Sequence, residues 1–130
     1  MIFSLAVYSP PYSSQASESA YRFAEALLAE GHSLYRIFFY QDGVHNSSQL
    51  LTPPQDETDF TSRWRELSER HHIDLVVCIA AALKRGILDE EEANRYEKPA
   101  HNLHEGFALS GLGQLVDAAL MSDRLVTFGG

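Results

Sequence analysis

The fold is decided by the stretch Ile73-Asp74-Leu75-Val76-Val77-Cys78-Ile79-Ala80-Ala81-Ala82. Its first six residues are mostly apolar and rich in β-branched side chains, which predicts a buried strand over residues 73–78. The alanine-rich part that follows predicts a short helix through about Arg85, closed by Gly86, because alanine favours helices and glycine ends them. A buried strand that passes directly into a helix is typical of an α/β sheet.

The rest of the chain repeats this alternation of strands and helices. Strands are predicted at 2–8, 34–40, 107–110 and 124–128, and helices at 15–30, 57–72, 89–93 and 113–122, with Gly31 closing the helix at 15–30. Residues 41–46 and 96–102 are interpreted as loops or short turns. The order predicts one α/β domain over residues 1–130, with a mostly parallel sheet and helices on both faces.

Composition excludes several classes of protein. A chain of 130 residues fits one domain, and a net charge of −8 argues against direct binding of nucleic acid. One cysteine cannot form an internal disulfide, which fits a reducing cytoplasm. Pro10-Pro11 interrupts the apolar start of the chain, so we expect neither a signal peptide nor a membrane helix there.

Cys78 lies where the buried strand ends and the short helix begins. In open α/β sheets, binding and catalysis occur at the carboxyl ends of strands, where free N–H groups of the next helix favour a thiolate. Lys84 and Arg85 follow about two turns later, so the helix start is expected to matter more than these cations. The alternative is that Cys78 is a small core residue, because free cysteines are often buried. Position alone is compatible with both interpretations.

Other polar groups provide weaker candidates. Tyr40, Asp42 and His45 follow the end of the second predicted strand and would surround the thiol if that strand shares an edge with the strand of Cys78. Gly111-Leu112-Gly113-Gln114 has too few glycines for a dinucleotide motif and is interpreted as a tight turn. The six histidines show no zinc-binding spacing, so no metal and no other cofactor is expected.

Several motifs, in the same order, resemble the DsrE/TusD family of sulfurtransferase subunits. The resemblance covers essentially the whole chain. It rests on Gln15-Ala16-Ser17, Phe38-Phe39-Tyr40-Gln41-Asp42-Gly43-Val44, Val76-Val77-Cys78-Ile79-Ala80-Ala81-Ala82 with Arg85-Gly86, Leu109-Ser110-Gly111-Leu112-Gly113-Gln114-Leu115, and Ser122-Asp123-Arg124-Leu125-Val126.

The resemblance implies a flavodoxin-like α/β fold and a persulfide carried on Cys78. It also implies two related small subunits in a heterohexamer with two copies of each subunit. Sulfur would arrive from an upstream carrier protein and leave to an acceptor of the DsrC/TusE type. In the TusD branch, favoured because such relays are widespread, it finally reaches 2-thiouridine at the tRNA wobble position. In the DsrE branch the relay serves dissimilatory sulfur oxidation.

Two other interpretations remain open. The chain could be a scaffold subunit in which Cys78 is inert packing, or a small flavin-binding protein on the same fold. Assembly with other subunits is also expected because Tyr12, Tyr21 and Tyr35 are hard to accommodate together in one small core.

Overall fold

The computed structural model describes residues 1–129. Its strands are β1 (Ile2–Val7), β2 (Ser33–Phe39), β3 (Asp74–Cys78), β4 (Phe107–Ser110) and β5 (Arg124–Phe128). Its helices are α1 (Ala16–Ala29), α2 (Phe60–His71), α3 (Ile79–Lys84), α4 (Glu90–Arg95) and α5 (Gly113–Met121), and Gln41–Ser47 forms a 3-10 helix. The strands form a five-stranded sheet in the order β4-β3-β2-β1-β5, with every pairing parallel. Within residues 1–129 no helix is long and apolar enough to cross a membrane.

Helices cover both faces of the sheet, as neighbouring residues of β1 show. The ring of Phe3 packs on Phe23 of α1, with centroids 5.9 Å apart. Ser4 points the other way, since side chains alternate along a strand, and its Oγ lies 2.7 Å from Oγ of Ser122, just after α5. The predicted α/β fold, with a mostly parallel sheet and helices on both faces, is therefore confirmed.

The start of one predicted helix and the form of one predicted loop differ from the structure for local reasons. Helix α2 begins at Phe60 and not at residue 57, because the side chain of Asp59 accepts a hydrogen bond from the Ser62 N–H at 3.2 Å and caps the helix there. The segment after β2 forms a regular 3-10 helix where a loop or short turn is predicted. Gly31 closes α1 as predicted, with a φ of +87° that suits glycine.

The 3-10 helix is held in place by the buried side chain of Asn46. Its Nδ2 donates to the Gly43 carbonyl at 2.9 Å and to Oγ of Ser17 in α1 at 3.1 Å. Its Oδ1 accepts from Nε1 of Trp64 in α2 at 3.2 Å, and its own carbonyl accepts from Oγ1 of Thr61 at 2.8 Å. One amide therefore joins the 3-10 helix to both α1 and α2 in the interior.

Gly43 lets the same 3-10 helix lie directly on the end of β1. Its N–H contacts the carbonyl oxygens of Tyr40 at 2.9 Å and Tyr8 at 3.2 Å. A Cβ at this position would overlap the carbonyl oxygen of Val7, which is backbone and cannot move aside. A glycine is therefore required for this close approach.

A second polar cluster ties the sheet to α5 through the buried guanidinium of Arg36. Its Nε donates to Asp74 at 2.8 Å, and its Nη1 donates to Asp117 at 2.9 Å and to the Gln114 carbonyl at 2.8 Å. The Tyr35 hydroxyl also donates to Asp117, at 2.7 Å. The hydrogen bond from Tyr35, followed by that from Arg36, holds the pKa of the Asp117 carboxyl below its ordinary value.

We expect Asn46→Ala to destabilise the fold, because it leaves Nε1 of Trp64 and the Gly43 carbonyl buried without their partner. Each unsatisfied buried group costs ~1–3 kcal/mol, so with two such groups the free energy of unfolding should fall by roughly 2–6 kcal/mol. Urea denaturation followed by circular dichroism measures this. The exposed Asn94→Ala serves as the control and should change stability by less than ~0.5 kcal/mol. Equal losses in the two variants would contradict the assigned role of Asn46.

The lowered pKa of Asp117 predicts a pH dependence of stability. Its ion pair contributes fully above the ordinary carboxyl value of 3.8 and is lost as the pH falls through the lower folded-state pKa. Asp117→Asn should therefore destabilise the protein at neutral pH, and the difference from wild type should shrink as the solution is acidified below pH ~4. Denaturant midpoints over a pH series measure this difference. Asp56→Asn, which removes an exposed carboxylate without an ion pair in residues 1–129, is the control.

Candidate active site at the carboxyl edge of the sheet

The carboxyl ends of β2, β3 and β4 meet at one edge of the sheet and form a pocket. In the register of the sheet, Val77 pairs with Phe39 of β2, and Cys78 pairs with Ser110 of β4. The residues that follow these two neighbouring strands therefore flank Cys78. The pocket has a volume of about 370 Å³ and is lined by Tyr40, Gln41, Cys78, Ile79, Ala80, Ala81, Lys84, Arg85, Gly111 and Leu112.

Cys78 is the last residue of β3 and occupies the position that caps α3. Only 2% of the residue is exposed, and it is one of the residues that line the pocket. It is also buried against the core. A flat protein surface cannot contact such a thiol, whereas a small molecule or a narrow segment of chain can enter the pocket.

The two cations that follow Cys78 in the sequence line the same pocket as the cysteine. Helix α3 contains six residues, and both Lys84 and Arg85 line the same pocket as Cys78. The guanidinium of Arg85 donates from Nε to Asp42 at 2.7 Å and from Nη1 to the Ala81 carbonyl at 3.1 Å. These bonds fix Arg85 beside the pocket. The hydrogen bond from Arg85 also holds the pKa of the Asp42 carboxyl below its ordinary value.

The three predicted pocket residues take different places. Tyr40 lines the pocket, and its ring packs edge-on against that of Tyr8 with centroids 5.3 Å apart. Asp42 does not line the pocket but contacts Arg85, which does. His45 lies within the 3-10 helix and is not among the lining residues. Tyr40 thus lines the pocket together with Cys78, and Asp42 is connected to the pocket through Arg85.

Sequence reasoning did not assign Gly111 and Leu112 to the site. The turn that contains them begins α5, as the interpretation of Gly111-Leu112-Gly113 as a tight turn predicts. Its place beside Cys78 follows from the pairing of β4 with β3, for which the sequence contains no local signal. Within residues 1–129 there is no group of three or more histidine, cysteine or acidic side chains that could hold a metal ion.

Comparison with known proteins agrees with the geometry. Residues 1–128 match the DsrE/DsrF-like family. The DsrE protein of Allochromatium vinosum, named as a candidate sulfurtransferase, is 56% identical over 99% of both chains. The sulfurtransferase TusD homolog of Pseudomonas aeruginosa is 55% identical over all of this chain and 98% of its own, and sulfurtransferase TusD of Serratia proteamaculans is 53% identical over 97% and 98%.

The fold is also found among solved structures. The crystal structure of the ychN protein from E. coli superposes with a TM-score of 0.75 over 98% of this chain and 100% of that one, at 20% identity. At this identity the likeness concerns the fold. The sequence relatives extend over nearly the full chain at about half identity or more. On these matches, the chain belongs to the DsrE/DsrF-like family and is a sulfurtransferase.

Proposed function

We propose that Cys78 carries sulfur as a persulfide in a relay between proteins that leads to 2-thiouridine at the wobble position of tRNA. The observation that carries the proposal is the position of the chain's one cysteine, in a pocket at the carboxyl edge of the sheet beside Lys84 and Arg85. Relatives named TusD favour this relay over sulfur oxidation, the alternative favoured by the relative named DsrE. We place the relay in the cytoplasm, where thiols stay reduced.

The transfer needs a thiolate and no group outside the two proteins. The Cys78 thiolate attacks the outer sulfur of a donor persulfide, a new S–S bond forms, and the donor's S–S bond breaks. The donor's inner sulfur leaves with the electron pair as a thiolate, and the outer sulfur remains on Cys78. An acceptor thiolate then attacks that outer sulfur, and Cys78 leaves as the thiolate that began the cycle.

The pocket contains positively charged side chains, which suit a site that holds anionic sulfur. Lys84 and Arg85 are the cations that line it, and nearby cations favour the thiolate and persulfide anions over their neutral forms. The net charge of −8 acts in the opposite direction, but charges beyond ~8 Å are largely screened at physiological salt. Lys84 and Arg85 are therefore the charges proposed to act on the sulfur, and Arg85 is also paired with Asp42.

We propose that the chain works with two related small subunits in a heterohexamer, two copies of each, between an upstream carrier protein and an acceptor of the DsrC/TusE type. The sequence also predicts assembly from the difficulty of accommodating its tyrosines in one core. This argument gives the assembly little support, because Tyr21 is only 3% exposed and packs in the core. An exposed apolar stripe that begins at the residue before α5 and continues along that helix gives more. Leu112, Val116 and Leu120 follow each other at four-residue spacing, and Leu120 is 80% exposed.

We expect incubation of the protein with a persulfide donor to add one sulfur atom to the chain, located on Cys78. Intact-protein and peptide mass spectrometry measure the addition. Cys78→Ser should lose the added sulfur while it keeps the fold, because oxygen replaces sulfur in a side chain of nearly equal shape. An unchanged adduct in Cys78→Ser would contradict the proposal.

Alkylation of the wild-type protein distinguishes a relay subunit from a scaffold subunit. In the relay, Cys78 reacts with iodoacetamide through its pocket in the folded state, although only 2% of the residue is exposed. In a scaffold subunit, alkylation waits for unfolding. Alkylation that occurs only in denaturant, together with a missing sulfur adduct, would favour the scaffold.

A further inference from the structure

A groove beside the Cys78 pocket contains both lysines of the chain, Lys84 and Lys98. It has a volume of about 740 Å³, which is within the range of sites that bind ligands. Lys84 lines both the groove and the Cys78 pocket, so the two cavities adjoin. The apolar part of its lining is Leu83, Leu88, Tyr96 and Pro99.

The groove is already formed in the free chain, because Asn102 ties its two walls together. Nδ2 of Asn102 donates to the Gly86 carbonyl at 3.1 Å, and Oδ1 accepts from the Leu88 N–H at 3.0 Å. The N–H of Lys98 donates to the Ala93 carbonyl at 2.8 Å, which fixes the backbone of the second wall on α4. A ligand would therefore not have to order the walls on binding.

The two lysines are free to pair with a ligand. Within residues 1–129 neither side chain takes part in a hydrogen bond or an ion pair, although acidic residues outnumber basic ones by 18 to 10. Other cations near the site are paired, such as Arg85 with Asp42. Two unpaired ammonium groups beside an apolar surface are complementary to a ligand that has both carboxylates and apolar side chains.

We propose that this groove binds an extended acidic segment of a protein that exchanges sulfur with Cys78, an inference that rests on the proposed function. Cys78 is 2% exposed, so a partner's thiolate reaches it only on a narrow segment of chain. An extended peptide presents side chains alternately to two sides, so apolar residues contact the groove while acidic ones meet Lys84 and Lys98. The groove adjoins the pocket of Cys78 at Lys84, so a segment bound in the groove lies next to that pocket.

The experiment measures binding of a fluorescein-labelled peptide of alternating leucine and glutamate to the full chain, by fluorescence anisotropy at low ionic strength. We expect Lys98→Met to weaken binding about fivefold, the effect of one exposed ion pair of ~1 kcal/mol. Lys84→Met should have a similar effect, and Lys98→Arg should retain most of the affinity. Added salt should weaken binding to the wild type more than to Lys98→Met.

Two controls make the result specific. Arg124→Met removes an exposed cation on β5, the edge strand far from β4, and should bind the peptide like the wild type. A matched peptide with glutamine in place of glutamate should bind the wild type several-fold more weakly. Equal binding of the two peptides, or wild-type affinity in Lys98→Met, would overturn the proposal. A single-stranded oligonucleotide that displaces the glutamate peptide at lower concentration than unlabelled peptide would also overturn it, in favour of a nucleic acid site.

Sulfur loading is measured separately with inorganic polysulfide, which does not need the groove. Lys98→Met should load Cys78 like the wild type, because Lys98 does not line the Cys78 pocket. If the wild type itself fails to load, the persulfide function is wrong. The peptide measurements involve no sulfur and decide the groove independently.

Discussion

The buried amide of Asn46 fixes the arrangement from which the site is built. It binds the 3-10 helix to α1 through Ser17 and to α2 through Trp64, where no water replaces a lost partner. The 3-10 helix begins directly after Tyr40, so its placement determines where Tyr40 and Asp42 lie at the edge of the sheet. Asp42 in turn holds Arg85 beside the pocket of Cys78. A polar group far inside the core thereby determines the charge beside the thiol.

Cys78 is buried, and the pocket that it lines also contains cations. Removal of a thiol from open solvent protects it from unwanted oxidation but disfavours a negative charge on sulfur, whereas nearby cations favour that charge. In the proposed function, Lys84 and Arg85 are the cations that act on the sulfur. The distribution of cations matters more here than their number, because the chain is acidic overall and yet places Lys84 and Arg85 at this pocket.

The sequence was sufficient for features that depend on local chemistry. Apolar runs located every strand, and the position of Cys78 at the end of one run placed it at the carboxyl edge. Features that depend on long-range contacts could not be predicted from the sequence. The 3-10 helix forms because Asn46 meets Trp64 across the core, and Tyr21 is buried because its ring packs on Trp64 at 5.2 Å. Neither contact has a sequence pattern at short range.

The same limit explains the incomplete prediction of the pocket. Tyr40 was identified because it ends the strand before the one that contains Cys78, and the two strands pair. Gly111 and Leu112 reach the pocket through β4, on the other side of β3, and strand order cannot be derived from spacing. Lys84 and Arg85 were placed about two turns along the helix after Cys78, and spacing along a helix does not indicate that both line the pocket of Cys78.

The chain has one tryptophan, and it is Trp64. Its indole is fully buried, donates to Asn46 and lies between the rings of Tyr21 and Phe39, at 5.2 and 5.5 Å. The tryptophan fluorescence of the protein, excited selectively over that of its six tyrosines, therefore comes from one fluorophore in one environment, at the point where the 3-10 helix meets α2. Its emission reports the integrity of that junction without any label, and it leaves Cys78 unmodified for chemistry carried out in the same sample.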